Sequence, residues 1–303
     1  MAEKIAKPFL KWAGGKTQLL NDILLSLPAD ILANHKFTYI EPFAGSCALL
    51  FKLIQHFPNM QKAIINDINE DLVNAYKVVA SQPELLINLL QKFQQQYHSL
   101  EDLTEKKKLY YYHKRTLYNS RIADNITQAA LFIFLNKTCF NGLYRVNKAN
   151  QFNVPIGSYK KPTICDAENI LAVNKVLENV EILCGDYQQV LAYARKNSFL
   201  YFDPPYKPLS STSNFNAYAK ANFKDDEQIR LSDFCKKLDQ KGYTWMLSNS
   251  DVIENESDGN FFDEIYKKFF ITKVAAKRSI NSNGKKRGEL NELLITNYKR
   301  KGE

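Results

Sequence analysis

Short apolar runs at 37–40, 63–65, 181–183, 199–202, 244–247 and 290–295 alternate with helical stretches, and this rhythm constrains the fold more than any other feature. Strands joined by helix-length crossovers pair in parallel and are covered on both faces. The expected fold is therefore α/β, a doubly wound, mostly parallel sheet. The helix after Gly45 carries Ala48, Leu49, Leu50, Phe51, Leu53 and Ile54 before Pro58 stops it, and another runs from Asp225 to about Lys241 with Gly242 beyond its end. Between Asp71 and about Pro162 the strand rhythm lapses. Polar helices such as 85–97 and a more apolar one at 126–139 replace it. The sequence thus predicts a main domain of residues 1–71 and 161–303, with 72–160 inserted as a mainly helical domain. Within the insert, 144–147 and 152–155 flank the polar turn 148–151, the pattern of a projecting β-hairpin. With 303 residues and 45% hydrophobic content, the chain can build both parts.

The run Phe199–Phe202 closes on Asp203-Pro204-Pro205-Tyr206. This turn suits the task of making an aromatic amine nucleophilic. The exocyclic nitrogen of adenine shares its lone pair with the ring, so a general base alone does not activate it. Two acceptors on its N–H groups draw it towards tetrahedral geometry and localise the lone pair. Asp203 can supply a carboxylate and Pro204 a carbonyl. Proline at 204 and 205 removes two competing backbone donors, and Tyr206 offers a face for a planar base. The plainer reading is a strand-ending turn and nothing more.

These four residues resemble the catalytic motif of amino-directed, S-adenosylmethionine-dependent methyltransferases. The resemblance then widens to the Dam and DpnM group of DNA adenine-N6 methyltransferases. It rests on Phe9-Leu10-Lys11-Trp12-Ala13-Gly14-Gly15-Lys16, Glu41-Pro42-Phe43-Ala44-Gly45-Ser46, Phe140 to Asn147 with Phe152-Asn153-Val154-Pro155, and Gly185-Asp186-Tyr187. A late run from Arg278 through Arg287 to Leu294 completes it, so the match spans about Phe9 to Tyr298 in the expected order. It implies a Rossmann-like methyltransferase sheet, S-adenosylmethionine as cofactor, double-stranded DNA as partner, and GATC as the site.

In a doubly wound sheet, ligands sit beyond the carboxyl ends of the strands, where Glu41 to Ser46 forms the first turn. Gly45 lets the backbone approach a ligand. Asp67 ends the next strand about twenty residues on, where an acid can hold ribose hydroxyls. Carboxylates suit a donor with a positive sulfur and no phosphate. The resemblance adds Glu41, Phe43, Trp12 and Lys16 to the cofactor set, and places Asp186 and Tyr187 beside the adenine ring. For Trp12, core packing is the competing reading. Gly14-Gly15-Lys16-Thr17 also has the ending of a nucleoside-triphosphate loop, but that loop needs glycine where Leu10 stands.

By the same resemblance, Arg145 contacts a guanine, Leu143 a thymine methyl and Lys11 the first guanine of the site. Phe140 and Asn141 lie where the family wedges the duplex, and Pro155 is on the second hairpin arm. Phe140 replaces the tyrosine of several relatives and so lacks its hydroxyl. The target adenine must flip out of the duplex, and the polar stretch from Ser211 to Tyr218 could close over it, with Tyr218 or Phe223 either stacking or anchoring a helix. In Lys106 to Arg115, cations surround tyrosines that serve either phosphates and bases or the interior, with the interior preferred for the tyrosines. From Lys273 to Lys301 there are nine cations against two carboxylates.

The formal charge of +9 and pI near 9.1 fit a polyanionic partner, although a merely basic enzyme would share them. Five cysteines lie without paired spacing and four histidines sit apart from them, so neither disulfides nor a metal site is expected. Without an apolar leader, or an apolar run near the ~18 residues a membrane span needs, the expectation is a cytoplasmic protein. A monomer is expected, and a companion restriction endonuclease is compatible with the resemblance. Two alternatives stay open: a methyltransferase for another planar amine, such as cytosine N4 or an RNA base, and a catalytically silent nucleic-acid scaffold.

Overall fold

The structure is a computed structural model that describes residues 4–12, 14, 19–100, 105–207, 223–251, 261–276 and 290–300. Its strands are β1 (Phe37–Glu41), β2 (Met60–Asp67), β3 (Val180–Cys184), β4 (Ser198–Phe202), β5 (Thr244–Ser250), β6 (Phe270–Ala276) and β7 (Leu290–Thr296), in the sheet order β3-β2-β1-β4-β5-β7-β6. β1 pairs in parallel with β2 and β4, and β4 with β5, whereas β7 runs antiparallel between β5 and β6. The mostly parallel α/β sheet is therefore the one expected from the strand rhythm. β6 was not anticipated: Phe270-Ile271-Thr272-Lys273-Val274 mixes exposed and half-buried positions, so it lacks the continuous apolar signature of the inner strands.

The helices are α1 (Leu20–Leu25), α2 (Ala29–Leu32), α3 (Ala48–His56), α4 (Glu70–Ser81), α5 (Pro83–His98), α6 (Glu105–Ser120), α7 (Asn125–Thr138), α8 (Ala167–Leu177), α9 (Asp225–Gln240) and α10 (Phe261–Ile265). The chain divides into two compact units. One comprises Met1–Gly15, Gly45–Phe51 and Asn66–Gly185; the other comprises Lys16–Ala44, Lys52–Ile65 and Asp186–Glu303.

In the first unit α7 is the central helix. It is buried from Gln128 to Asn136 and packs against α4, α5 and α6, which accounts for its all-round apolar sequence. Asp124 caps it by accepting from the N–H groups of Ile126 and Thr127. The tyrosines of α6 turn inward: Tyr111 and Tyr118 are fully buried, and the Tyr111 hydroxyl donates to the Val154 carbonyl at 2.9 Å. Lys107 is buried too, its ammonium on the Lys160 carbonyl at 2.8 Å. The interior reading of this patch is the one observed for those two tyrosines.

The segment after α7 forms a two-armed loop tied by antiparallel bridges at Val146↔Phe152 and Cys139↔Ile156, not a regular strand ladder. Backbone bonds also join the arms, from the Asn147 N–H to the Gln151 carbonyl at 2.9 Å and from the Asn153 N–H to the Arg145 carbonyl at 3.1 Å. On the outer edge the Asn119 side chain of α6 takes both backbone groups of Phe152, at 2.8 and 3.0 Å. The tip is closed by Asn147, whose side chain accepts from Ala149 and Gln151, and by Asn150 with φ of +58°.

In the second unit β4 is buried along its whole length, as a central parallel strand should be. α9 covers its apolar stripe with Leu231, Phe234, Cys235 and Leu238 buried, while Asp225, Asp226 and Glu227 occupy its first turn. Among the described residues no helix is long and apolar enough to cross a membrane.

Candidate active site and nucleic-acid interface

The strand order reverses direction between β1 and β4, which are hydrogen-bonded neighbours with Ile40 opposite Leu200. A crevice at such a switch point is where open α/β sheets bind ligands. Two turns leave these adjacent strand ends: Glu41-Pro42-Phe43 from β1 and Asp203-Pro204-Pro205-Tyr206 from β4.

The turn after β4 is fixed from below by buried polar side chains. Gln228 of α9 donates to the Pro205 carbonyl at 3.1 Å, and Asn249 of β5 donates to Gln228 Oε1 at 3.1 Å. Ser250 donates to the Lys207 carbonyl at 2.9 Å. Ser248 Oγ donates to Asp203 Oδ1 at 3.1 Å. Tyr206 donates to Glu292 Oε2 at 2.6 Å, and burial together with Asp203 and Glu292 holds its phenol well above the usual pKa. Among the described residues no group donates to the Pro204 carbonyl. The Pro205 carbonyl is thus occupied, while the half-buried Asp203 carboxylate, which accepts from Ser248, stands next in sequence to the Pro204 carbonyl.

Beside this turn lies an aromatic group. Phe43 is 5.2 Å from Tyr187 and 5.7 Å from Phe223, ring centre to ring centre. Tyr187 also packs edge-on against Phe234. Phe223 is buried and serves as an anchor, while Tyr218 and the rest of 211–218 lie outside the described residues. Asp186 accepts from the N–H of Gln188 and pairs with Arg230 at 2.9 Å, and that guanidinium lies 4.9 Å over the Tyr187 ring. Glu41, at the end of β1, is buried.

The first unit holds a second group of expected residues. Asp67 Oδ2 accepts from the Gly45 N–H at 3.0 Å and Oδ1 from the Asn69 N–H at 2.9 Å. Burial raises the pKa of this carboxyl against the opposing effect of those N–H groups. Gly45 has φ of +48°, and a Cβ there would meet Trp12 Cδ1 at 3.1 Å. Trp12 in turn stacks on Tyr144 at 5.4 Å, so it combines packing with closure of the Gly45 loop. Lys16 lies outside the described residues, as do 277–289 of the late basic run.

Also in the first unit, Lys11 crosses Gly142 and reaches Tyr159, its ammonium 3.2 Å from the hydroxyl and 4.6 Å from the ring centre. Asn136 of α7 fixes this crossing: it accepts from the Lys11 N–H and donates to the carbonyls of Lys11 and Gly142. Phe140 and Asn141 are exposed, with Asn141 at φ of +54°. Leu143 is half-buried, and Pro155 is exposed with its carbonyl accepting from the Phe140 N–H. Arg145 is exposed, its Nε donating to Asn153 Oδ1 at 2.7 Å.

Sequence reasoning missed Ser248, Asn249, Ser250, Gln228, Tyr159 and Asn136. The first three carried a signal, since β5 turns from Trp245-Met246-Leu247 to Ser-Asn-Ser without leaving the interior. Three polar residues in a buried strand need partners. Gln228 and Asn136 sit within helices, where nothing in sequence separates a buried amide from a solvated one.

The family described as D12 class N6 adenine-specific DNA methyltransferase matches residues 12–280. Type II methyltransferase M.MjaIII of Methanocaldococcus jannaschii is 50% identical over 295 residues, covering 96% of this chain and 99% of the relative. Type II methyltransferase M1.LlaDCHI of Lactococcus lactis subsp. cremoris is 40% identical, covering 96% and 95%. The DNA adenine methylase of Escherichia coli K12 is 32% identical, covering 95% and 94%. With an acceptor-rich turn at the switch point and a family match across most of its length, this chain belongs to the D12 class N6 adenine-specific DNA methyltransferases.

Proposed function

We propose that the enzyme transfers the methyl group of S-adenosylmethionine to N6 of an adenine flipped out of double-stranded GATC, with Asp203 and Pro204 as the acceptors on the amine. The observation that carries this reading is the state of the turn: Gln228 ties down the Pro205 carbonyl, and no described residue donates to the Pro204 carbonyl next to the Asp203 carboxylate. The target amine has two N–H groups to place. Accepting both localises the nitrogen lone pair, and the buried supports of the turn hold the acceptors still while this happens. The proton released after transfer can leave through the Asp203 carboxylate.

The donor set fits the proposed cofactor. Glu41 and Asp203 in the second unit, and in the first Asp67 with a tight Gly45 turn in place of a phosphate-cradling loop, are each of a chemistry that suits a nucleoside with a cationic centre. When bound, S-adenosylmethionine supplies an electrophilic methyl group. Asp67 would hold the ribose hydroxyls with the lone pairs left after Gly45 and Asn69. Phe43, Tyr187 and Asp186 would flank the adenine ring, with Trp12 and Lys16 facing the cofactor or its entrance.

For DNA, residues 72–160 are read as the recognition domain, with Lys11 and Arg145 on guanines, Leu143 on a thymine methyl, Phe140 and Asn141 at the opened base pair, and Pro155 on the second hairpin arm. The direct test is transfer of labelled methyl to two duplexes that differ by a single GATC, followed by digestion to nucleosides. N6-methyladenine from the GATC duplex alone is the expected result. Label in both duplexes would reject the site, and turnover retained by Asp203→Ala would reject the mechanism.

A further inference from the structure

The Ser248 hydrogen bond to Asp203 is the last link of a longer chain. Tyr201 and Asp203 are two residues apart in and just beyond β4, so they point to the same side of the sheet. Phe202 is in register with Leu247, and the next step of the parallel pair brings Asp203 opposite Ser248. Ser248 Oγ thereby lies 2.9 Å from the Tyr201 hydroxyl and 3.1 Å from Asp203 Oδ1. Tyr201 and Ser248 are both fully buried.

The proton directions follow from counting. A buried phenol must place its O–H, and Ser248 is the partner the structure gives it. Tyr201 then donates to Ser248. The single Ser248 proton goes to the nearest acceptor left, the carboxylate at 3.1 Å in preference to the Phe202 carbonyl at 3.5 Å. Burial and the neighbouring carboxylate keep Tyr201 protonated, so it stays a donor throughout the working pH range.

We propose that Tyr201 and Ser248 form a directional hydrogen-bond relay that positions the Asp203 carboxylate and keeps it ionised for the target amine. They are positioning residues that touch neither substrate. This inference rests on the reading of Asp203 as the acceptor. The relay fixes one carboxylate oxygen in place and with it the plane of the carboxylate that the amine meets. Donation to Oδ1 also favours the charged form, which is the only form able to accept both the hydrogen bond and the released proton.

The test is steady-state kinetics with pH profiles on Tyr201→Phe, Ser248→Ala and the double variant, with Asp203→Asn measured beside them. Tyr201→Phe removes one oxygen and keeps the ring, so it tests the relay even if Ser248→Ala folds poorly. Expected results are a kcat lowered about tenfold in each single variant with KM for cofactor and DNA unchanged, and an acidic limb of kcat moved to higher pH. The double variant should be no slower than Ser248→Ala, because both changes cut one chain. Unchanged kcat and pH profile in Tyr201→Phe, or losses that multiply in the double variant, would overturn the relay while an inactive Asp203→Asn left the role of Asp203 intact. Turnover by Asp203→Asn would instead remove the reading on which the relay stands.

Discussion

Gly142 is the residue on which the placement of Lys11 turns. Its φ is +66°, and a Cβ would come within 2.3 Å of Lys11 Cδ and 2.9 Å of Lys11 Cβ. The far end of a lysine could swing away, but its Cβ cannot, since Asn136 holds both backbone groups of Lys11. Gly142→Ala should therefore displace Lys11, weaken discrimination at one guanine at least tenfold, and leave cofactor affinity unchanged. Competition between duplexes altered at single positions measures this, and an equal loss on all sequences would mark Lys11 as a phosphate contact. Arg145 differs because it is exposed and held on one edge by Asn153, which leaves the rest of the guanidinium to face a ligand. Arg145→Ala should cost about 1–3 kcal/mol at a single guanine. The motif at 140–147 was legible in the sequence because those residues are contiguous. The clamp that gives them their geometry was not, because Asn136, Lys11 and Gly142 meet only through the fold.

At the scale of elements, α7 links stability to the placement of Lys11, since it forms the centre of the first unit and carries Asn136. Asp124 caps it through Ile126, Thr127 and the Thr127 hydroxyl, and those bonds hold its carboxyl below the usual pKa. The sign follows: a carboxyl whose folded pKa is depressed contributes stability above its unfolded value and loses it as pH falls through the folded one. Asp124→Ala should cost about 1 kcal/mol in urea unfolding near neutrality, and the gap to the parent should close as pH drops below about 4. A gap that persists in acid would assign the loss to packing. The apolar helix itself was legible in the sequence, as were β1, β4 and β5 from their unbroken apolar character, whereas its cap came from the structure. β6 was not legible, because an exposed outer strand has no buried face to enforce a pattern. The two arms at 144–147 and 152–155 were legible from the polar turn between them, and backbone bonds from Asn147 to Gln151 and from Asn153 to Arg145 join them; the grip of Asn119 on Phe152 was not, because α6 meets this loop only through the fold.

For the molecule as a whole, the charge of +9 and the family membership make separate demands that salt can tell apart. DNA binding that neutralises phosphates releases counterions, and the affinity falls with a log–log slope of about −0.9 for each phosphate contacted. Five such contacts would cost on the order of 500-fold between 50 and 200 mM salt. S-adenosylmethionine has no phosphate, so its affinity should barely change across the same range. Fluorescence anisotropy with a labelled duplex, beside calorimetry with the cofactor, measures both. A slope shallower than about −2 for DNA would mean that the basic surface serves solubility more than substrate binding. Arg145→Ala sharpens the comparison. If Arg145 reads a base edge, its loss should lower affinity for the cognate duplex and leave the slope where it was. If it sits on a phosphate, the slope should become shallower by about one and the loss should be the same for every sequence.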